Sequence, residues 1–157
     1  LNIISVFIGG GIGSILRYLV NITFGKTVLC QNSALPLATL SVNITGSFLL
    51  GFIYAVIAQK TGFPPAVKLA LSVGFCGGLT TFSTFSVEAF DLLKNGEILA
   101  CAGYISASVV FCLIMTGIGI YTGTMIGHIL ESKYKKKILF IGMPDMAIIC
   151  LARLISD

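Results

Sequence analysis

Long apolar stretches alternate with short polar linkers along most of the chain. Four apolar segments can be delimited, at about 2–24, 36–58, 66–93 and 98–126. Each is near or above the roughly 20 residues that a helix needs to cross a bilayer. Glycines and prolines, which interrupt helices, and lysines, which interrupt the apolar pattern, occur in the linkers between them. The pattern predicts an all-α membrane protein in which residues 1–126 form one domain of four transmembrane helices.

The composition agrees with a membrane location. Of the 157 residues, 56% are hydrophobic and only 10% are charged, whereas a soluble domain carries about 25% charged residues. We expect a multi-pass protein of the cell (inner or plasma) membrane, without a cleaved signal peptide, because Arg17 interrupts the first segment. The five cysteines include no C-x-x-C pair and His128 is the single histidine, so no histidine-based metal site is expected within one chain.

One part of the third segment is too polar and too rich in glycine for a plain lipid-facing helix. Residues 74–88 read GFCGGLTTFSTFSVE, and irregular backbone at bilayer depth is tolerated only where protein covers it or where it lines an aqueous path. Gly77 and Gly78, followed by Thr80, predict a broken helix with unwound backbone, whose carbonyls can coordinate a hard cation such as Na⁺. A glycine kink that only aids packing is the alternative.

Beyond this break, the same segment places polar and aromatic side chains on neighbouring stripes of a helix. Phe82 and Phe85 share one stripe, and Ser83 extends the polar side. The polar stripe follows i, i+4 and i+8 spacing: Thr80, Thr84 and Glu88. An edge-on phenylalanine attracts a small anion because its ring edge is electropositive. The pattern favours a pore wall, and the alternative is hydroxyls bonded back to the helix beside core phenylalanines.

Polar side chains also interrupt the other apolar segments. Asn43, in the second segment, is costly to bury unpaired, so it either lines a wet path or bonds across helices. Arg17, in the first, either draws anions toward a vestibule or reaches the lipid headgroups. Tyr104 and Ser108 share a face of the fourth segment, but this pair alone does not indicate a function.

Small residues recur at the spacing typical of close helix packing in lipid. The spacing is found in four pairs: Gly9 and Gly13, Gly74 and Gly78, Gly119 and Gly123, and Gly123 and Gly127. We expect these glycines to bring helices together rather than to touch a ligand. Because a bundle of four helices is too thin to enclose a pore by itself, we also expect an oligomer.

The basic residues near the four segments do not favour one orientation. Lys60 and Lys68 lie on the side of the N-terminus, and Lys26 and Lys94 lie on the other. The positive-inside rule then predicts insertion both ways and an antiparallel, dual-topology homodimer. A lysine cluster adds positive charge to the N-terminal side: Lys133, Lys135, Lys136 and Lys137. Whether this cluster or the balanced charge of the linkers decides the orientation stays open. The cluster is typical of a lipid-facing flank and not of a nucleic-acid site.

Residues 127–157 are interpreted as a basic linker and a C-terminal extension of uncertain structure. The stretch 137–145 is typical of a strand and a turn, and 146–155 of a short helix. This part resembles the opening strand, loop and helix of methionyl-tRNA formyltransferases. Everything that would perform that chemistry is absent, so we expect no enzyme.

Three motifs together resemble the Fluc (CrcB-type) fluoride channels. The strongest is GFCGGLTTFSTF at 74–85, and the others lie at 9–18 and 39–46, in the order and spacing of the family. The resemblance covers about residues 3–124. It implies a passive channel and no catalytic residue.

The resemblance also implies an assembly and a set of site residues. Members of the family are antiparallel homodimers of dual topology with two fluoride pores. In this chain, the fluoride path would include Asn43, Phe82, Phe85, Ser83, Thr84, Glu88, Tyr104 and Ser108. Arg17 would lie at the vestibule, and the backbone carbonyls of Gly77 and Thr80 would hold a central structural Na⁺ at the dimer interface.

The sequence therefore predicts a fluoride-selective channel that lets F⁻ leave the cytoplasm and relieves fluoride toxicity. One rival is a small proton-coupled multidrug exporter, which would need an acidic residue in the first helix, where none is found. A membrane-anchored enzyme would need a folded catalytic domain in the short extension. A structural accessory subunit is the remaining alternative, and fluoride flux would exclude it.

Overall fold

A computed structural model describes the backbone of residues 1–24, 26–27, 35–59 and 63–140, and side chains as far as residue 129. Within these ranges every regular element is a helix. Three long helices dominate: α1 is Asn2–Phe24, α2 is Leu37–Gln59 and α6 is Ile98–Phe140.

The third apolar segment is divided into several helical pieces. It begins with α3, Pro65–Leu69, where proline occupies the first helical turn and needs no amide partner. A π-helical segment, Ala70–Cys76, and α4, Gly77–Leu79, follow without interruption. After a break comes α5, Phe82–Lys94.

The predicted division of the chain into four membrane-length segments is confirmed. Four spans are long and apolar enough to cross a bilayer: Asn2–Phe24, Leu37–Gln59, Pro65–Lys94 and Ile98–Ile129. Most large apolar side chains on their outer faces are exposed, as expected where lipid rather than protein covers them.

The break in the third span is present but lies later than predicted. Gly77 and Gly78 are helical, so their predicted unwinding is wrong. The extended residues are Thr80, with φ −80° and ψ 157°, and Thr81, with φ −149° and ψ 119°. A continuous helical stripe through Thr80, Thr84 and Glu88 is wrong for the same reason, because Thr80 lies outside α5.

The glycine pairs have the packing role predicted for them. Helix α1 lies against the π-helical segment and α4, and α2 lies along α6. A Cβ atom on Gly9 would collide with the carbonyl oxygen of Ala70, and one on Gly13 with that of Phe75. The helices approach at backbone distance, which only glycine permits. A Cβ on Gly77 would meet nothing within 4 Å.

The helix α6 continues beyond the membrane-length part of the chain to Phe140. The strand predicted over 137–145 is therefore wrong for 137–140. Lysine favours helix, and the first helix breakers on this side are Gly142 and Pro144. The rest of the predicted strand and the helix predicted at 146–155 lie outside the described residues.

Candidate ion path

One side chain from the neighbouring helix binds the backbone at the break in the third span. Asn43 of α2 accepts a hydrogen bond from the Thr81 backbone N–H at 2.8 Å and donates one to the Thr81 carbonyl at 3.1 Å. The amide thus provides an acceptor for the Thr81 N–H and a further donor for the Thr81 carbonyl, which as the carbonyl of an N-cap residue also accepts the first hydrogen bond of α5. Of the two roles left open for Asn43, bonding across helices is confirmed.

Thr81 also starts the helix after the break. Its hydroxyl accepts the backbone N–H of Thr84 at 3.2 Å, as an N-cap side chain does. The same hydroxyl donates to the Thr84 hydroxyl at 3.0 Å and lies 3.3 Å from that of Ser83. Ser83 and Thr84 therefore form a cap cluster at the start of α5. The Thr80 hydroxyl bonds back to the Cys76 carbonyl at 3.0 Å, as the alternative interpretation predicted.

A cavity of about 300 Å³ opens beside this break, between α2, α5 and α6. Its polar wall consists of Asn43, Ser47, Thr80, Thr81 and Ser108. Its apolar wall consists of Gly46, Leu50, Phe82, Phe85, Val109 and Cys112. Four residues predicted for the fluoride path are thus brought to one cavity: Asn43, Phe82, Phe85 and Ser108.

Ser108 is the most unusual polar group of the cavity wall. The residue is only 7% exposed, and its Oγ has no hydrogen-bond partner among the described residues. A buried hydroxyl left without a partner costs about 1–3 kcal/mol. Because the side chain lines the cavity, an occupant that accepts a hydrogen bond would remove this cost.

Three aromatic rings run from the cavity toward the interior. The ring centroids of Phe82 and Phe85 are 5.5 Å apart with the planes at 40°, and those of Phe85 and Tyr104 are 5.1 Å apart at 46°. Both contacts are tilted, between stacked and edge-to-face, at centroid separations that are favourable for aromatic pairs. Phe82 is 80% exposed and Tyr104 is fully buried, so the chain of rings joins the open end of the cavity to the core.

Glu88 lies at the inner end of this aromatic chain. One carboxylate oxygen accepts the Thr39 hydroxyl and the other accepts the Tyr104 hydroxyl, both at 2.7 Å. Thr39 and Tyr104 are buried, so the carboxylate is held in a fixed position between α2 and α6. Glu88 and Tyr104 lie behind Phe85 and are not part of the cavity wall.

Arg17 approaches the break from the side of α1. Its Nη1 donates to the Thr80 carbonyl at 3.5 Å, and Ser14 Oγ donates to the Gly78 carbonyl at the same distance. The guanidinium is thus directed to the broken span. The Gly77 carbonyl has lost its helical donor, because the Thr81 N–H is bonded to Asn43.

Sequence reasoning missed several residues of this site, of which Thr81, Thr39 and Cys112 are instructive. Thr81 clamps and caps the break, and an N-cap threonine at the start of a polar helix is a recognisable signal. Thr39 binds Glu88, but a hydroxyl in an apolar segment gives no indication of a partner 49 residues away. Cys112 lines the cavity, one turn beyond Ser108, and the spacing from Tyr104 and Ser108 could have indicated it.

Comparison with known families gives a result that agrees with this geometry. The family model described as "CrcB-like protein, Camphor Resistance (CrcB)" matches residues 4–120. The chain belongs to this family. The match spans the four membrane-length helices almost completely and ends before the basic extension. It gives no support to the resemblance of the extension to formyltransferases.

Curated relatives cover the same part of the chain. A "Fluoride-specific ion channel FluC 1" from Nitrobacter hamburgensis is 46% identical over 108 residues, which are 69% of this chain and 83% of the relative. A "Fluoride-specific ion channel FluC" from Leptospira interrogans is 46% identical over 109 residues, 69% of this chain and 84% of the relative. Another from Hydrogenobaculum sp. is 37% identical over 126 residues, 80% of this chain and its own whole length.

Family and fold together define the class of the protein. The CrcB-like family consists of ion channels and not of enzymes. With four apolar helices of membrane length, the chain is a multi-pass membrane protein.

Replacing Asn43 with leucine should destabilise the protein strongly. The change keeps the side-chain shape but leaves the Thr81 N–H without a partner, at about 1–3 kcal/mol, and removes one donor from the Thr81 carbonyl. Unfolding in detergent, followed by circular dichroism, measures the loss. Asn21→Leu is the control, because Asn21 makes no side-chain hydrogen bond to the described residues. Equal midpoints for the two variants would contradict the role of Asn43.

Proposed function

We propose that this chain is a passive, fluoride-selective channel. The observation that carries the proposal is the cavity beside the broken third span, which offers a buried unpartnered hydroxyl and two phenylalanine rings to an occupant. The curated relatives are named as fluoride-specific ion channels at up to 46% identity, which supports the same ion here.

The cavity wall suits a small anion better than a cation. Its chemistry consists of hydroxyl and amide groups and phenylalanine rings, and no carboxylate is among its lining residues. Glu88 is engaged by two hydrogen-bond donors behind Phe85. Such a wall attracts an anion without a fixed positive charge that would trap it, which conduction requires. Fluoride fits best because it is the smallest halide and the strongest hydrogen-bond acceptor among them.

The direction of net flow follows from the chemistry of the ion. Hydrogen fluoride crosses membranes as a neutral acid and dissociates at cytoplasmic pH, which leaves F⁻ trapped inside. A passive path lets the membrane potential drive the anion out, with about 2.3 kcal/mol per charge for each 100 mV. The proposed role is therefore export of fluoride from the cytoplasm and relief of its toxicity.

The functional unit is proposed to be an antiparallel homodimer of dual topology. Phe82 is 80% exposed although it lines the cavity, so one chain leaves the path incomplete on that side. The even distribution of Lys26, Lys60, Lys68 and Lys94 supports insertion in both directions. The lysine cluster at 133–137 adds charge to the N-terminal side, and the proposal requires that it does not prevent insertion the other way.

A structural Na⁺ between two such copies is the remaining part of the proposal. Backbone oxygens are suitable donors for this ion, and the Gly77 carbonyl is free of its helical partner. The Thr80 carbonyl is a less suitable ligand for Na⁺ than the Gly77 carbonyl, because the positively charged Arg17 Nη1 lies 3.5 Å from it. Gly77 and Thr80 would hold the ion, which would supply a fixed positive charge that ties the two copies together. Two oxygens per chain make a second copy necessary.

Growth of cells on fluoride tests the proposed direction of transport. Cells that lack their own fluoride exporter should become resistant when they express this chain, because internal fluoride falls toward the level set by the potential. Empty vector is the control, and internal fluoride is measured with an ion-selective electrode. Unchanged sensitivity, with the protein present in the membrane fraction, would contradict export.

A further inference from the structure

A stripe of side chains with hydroxyl or thiol groups runs along α6 past the cavity. Tyr104, Ser108, Cys112 and Thr116 follow each other at i, i+4 spacing, so they share one face of the helix. Ser108 and Cys112 line the cavity. Thr116 is the last residue of the stripe. Its hydroxyl donates to the carbonyl of Cys112 at 2.9 Å and to that of Ser47 at 3.4 Å.

The cavity at this level shows independent signs of an occupant. Ser108 Oγ is buried and unpartnered, and Cys112 lies one helical turn from it on the same wall. A group held at the Cys112 sulfur would therefore lie next to a hydroxyl that lacks an acceptor. The cavity, at about 300 Å³, is at the lower end of the range that holds small organic ligands.

Cys112 differs from the other two cysteines that the structure describes. All three are free thiols. Cys76 and Cys101 are 1% and 2% exposed and lie in the packed interior, and the Cys101 thiol donates to the Ala89 carbonyl at 3.3 Å. Cys112 is half-buried and borders open space. A reagent that enters the cavity reaches this thiol and not the other two.

We propose that Cys112 is a site of covalent modification by small sulfur electrophiles, and that an adduct there closes the ion path. The inference rests on the proposed function, because it assumes that the cavity is part of the fluoride path. The Cys112 sulfur, as thiolate, attacks the sulfenyl sulfur of a thiosulfonate. A new disulfide bond forms, the sulfur–sulfonyl bond breaks, methanesulfinate leaves, and the thiol proton goes to water.

An adduct at Cys112 blocks the path in two ways. It fills part of a cavity that has room for only a small group, and it lies on the wall that carries Ser108. If the adduct is anionic, it also repels fluoride, because like charges at contact distance interact strongly where water is partly excluded. An anionic adduct therefore closes the path more completely than a neutral one of similar length.

The experiment uses the full chain in liposomes loaded with fluoride. The probe is 2-sulfonatoethyl methanethiosulfonate, added on both sides, and flux is compared with that of the same sample before treatment. We expect a loss of about a hundredfold or more, from the charge repulsion described, and peptide mapping by mass spectrometry should show the adduct on Cys112. In Cys112→Ser the same treatment should leave the flux of that variant as it was.

Two further variants test whether Cys112 is the cysteine responsible for the block. Cys30→Ser and Cys150→Ser remove the cysteines that lie outside the described residues, and both should stay sensitive to the reagent. Full flux with Cys112 modified would overturn the proposal, as would failure of the reagent to modify Cys112 or a block that persists in Cys112→Ser. Absence of fluoride flux before treatment would instead contradict the proposed channel function, so the two failures are distinguishable.

Discussion

Phe82→Ile and Phe85→Ile should each lower fluoride flux at least about tenfold, which corresponds to about 1.4 kcal/mol of lost stabilisation. Isoleucine keeps the apolar volume but has no electropositive ring edge to offer an anion. Both rings line the cavity, and their centroids are 5.5 Å apart, so an ion that passes one also meets the other. Flux is measured with a fluoride electrode after reconstitution into liposomes.

The loss in Phe82→Ile should be functional and not a loss of folding. Phe82 is 80% exposed, and exposed substitutions usually change stability by no more than about 0.5 kcal/mol. Phe90→Ile is the matched control, because Phe90 lies on the same helix, is 61% exposed and does not line the cavity. Wild-type flux through both cavity variants, or an equal loss in Phe90→Ile, would contradict the aromatic path.

Gly9→Ala and Gly13→Ala should each prevent correct packing of α1 against the third span. The added methyl groups collide with the carbonyl oxygens of Ala70 and Phe75. A backbone carbonyl cannot rotate away as a side chain does, so the helices must separate. Overpacking usually costs about 1–3 kcal/mol, and we expect the upper end of that range or more. Thermal unfolding in detergent and size-exclusion chromatography of the purified protein measure the effect.

Gly11→Ala is the control for this pair. Gly11 lies on the same helix, and a Cβ atom there would meet nothing within 4 Å. This variant should therefore unfold at the temperature of the unmodified protein or slightly above, since alanine favours helix over glycine by about 1 kcal/mol. If Gly9→Ala and Gly13→Ala unfold at the same temperature as Gly11→Ala, the close approach of α1 to the third span is wrong.

The four spans could be predicted from the sequence because length and hydropathy decide which segments cross a bilayer. The position of the break could not. Gly77 and Gly78 indicated unwinding by their own flexibility, whereas the chain unwinds where Asn43 supplies partners for Thr81. That contact joins residues 38 positions apart, and no local pattern contains it.

The sequence predicted the chemical groups of the site better than the hydrogen bonds between them. The sequence indicated phenylalanine edges, the Asn43 amide and the Ser108 hydroxyl, and the cavity brings them together. Glu88 stays a prediction for the path, and what the sequence could not indicate is its position behind Phe85, bound to Thr39 and Tyr104. Hydroxyl groups in apolar helices all look alike in a sequence, and only packing decides which of them has a partner.

Efflux of fluoride and chloride from the same proteoliposomes tests the central claim most directly. The purified full chain is reconstituted, each ion is loaded in turn, and efflux is started with a potassium ionophore that removes the opposing potential. The proposed function predicts rapid loss of fluoride and retention of chloride, with Phe85→Ile slow for fluoride. Equal efflux of the two halides, or no fluoride efflux from correctly folded protein, would contradict it.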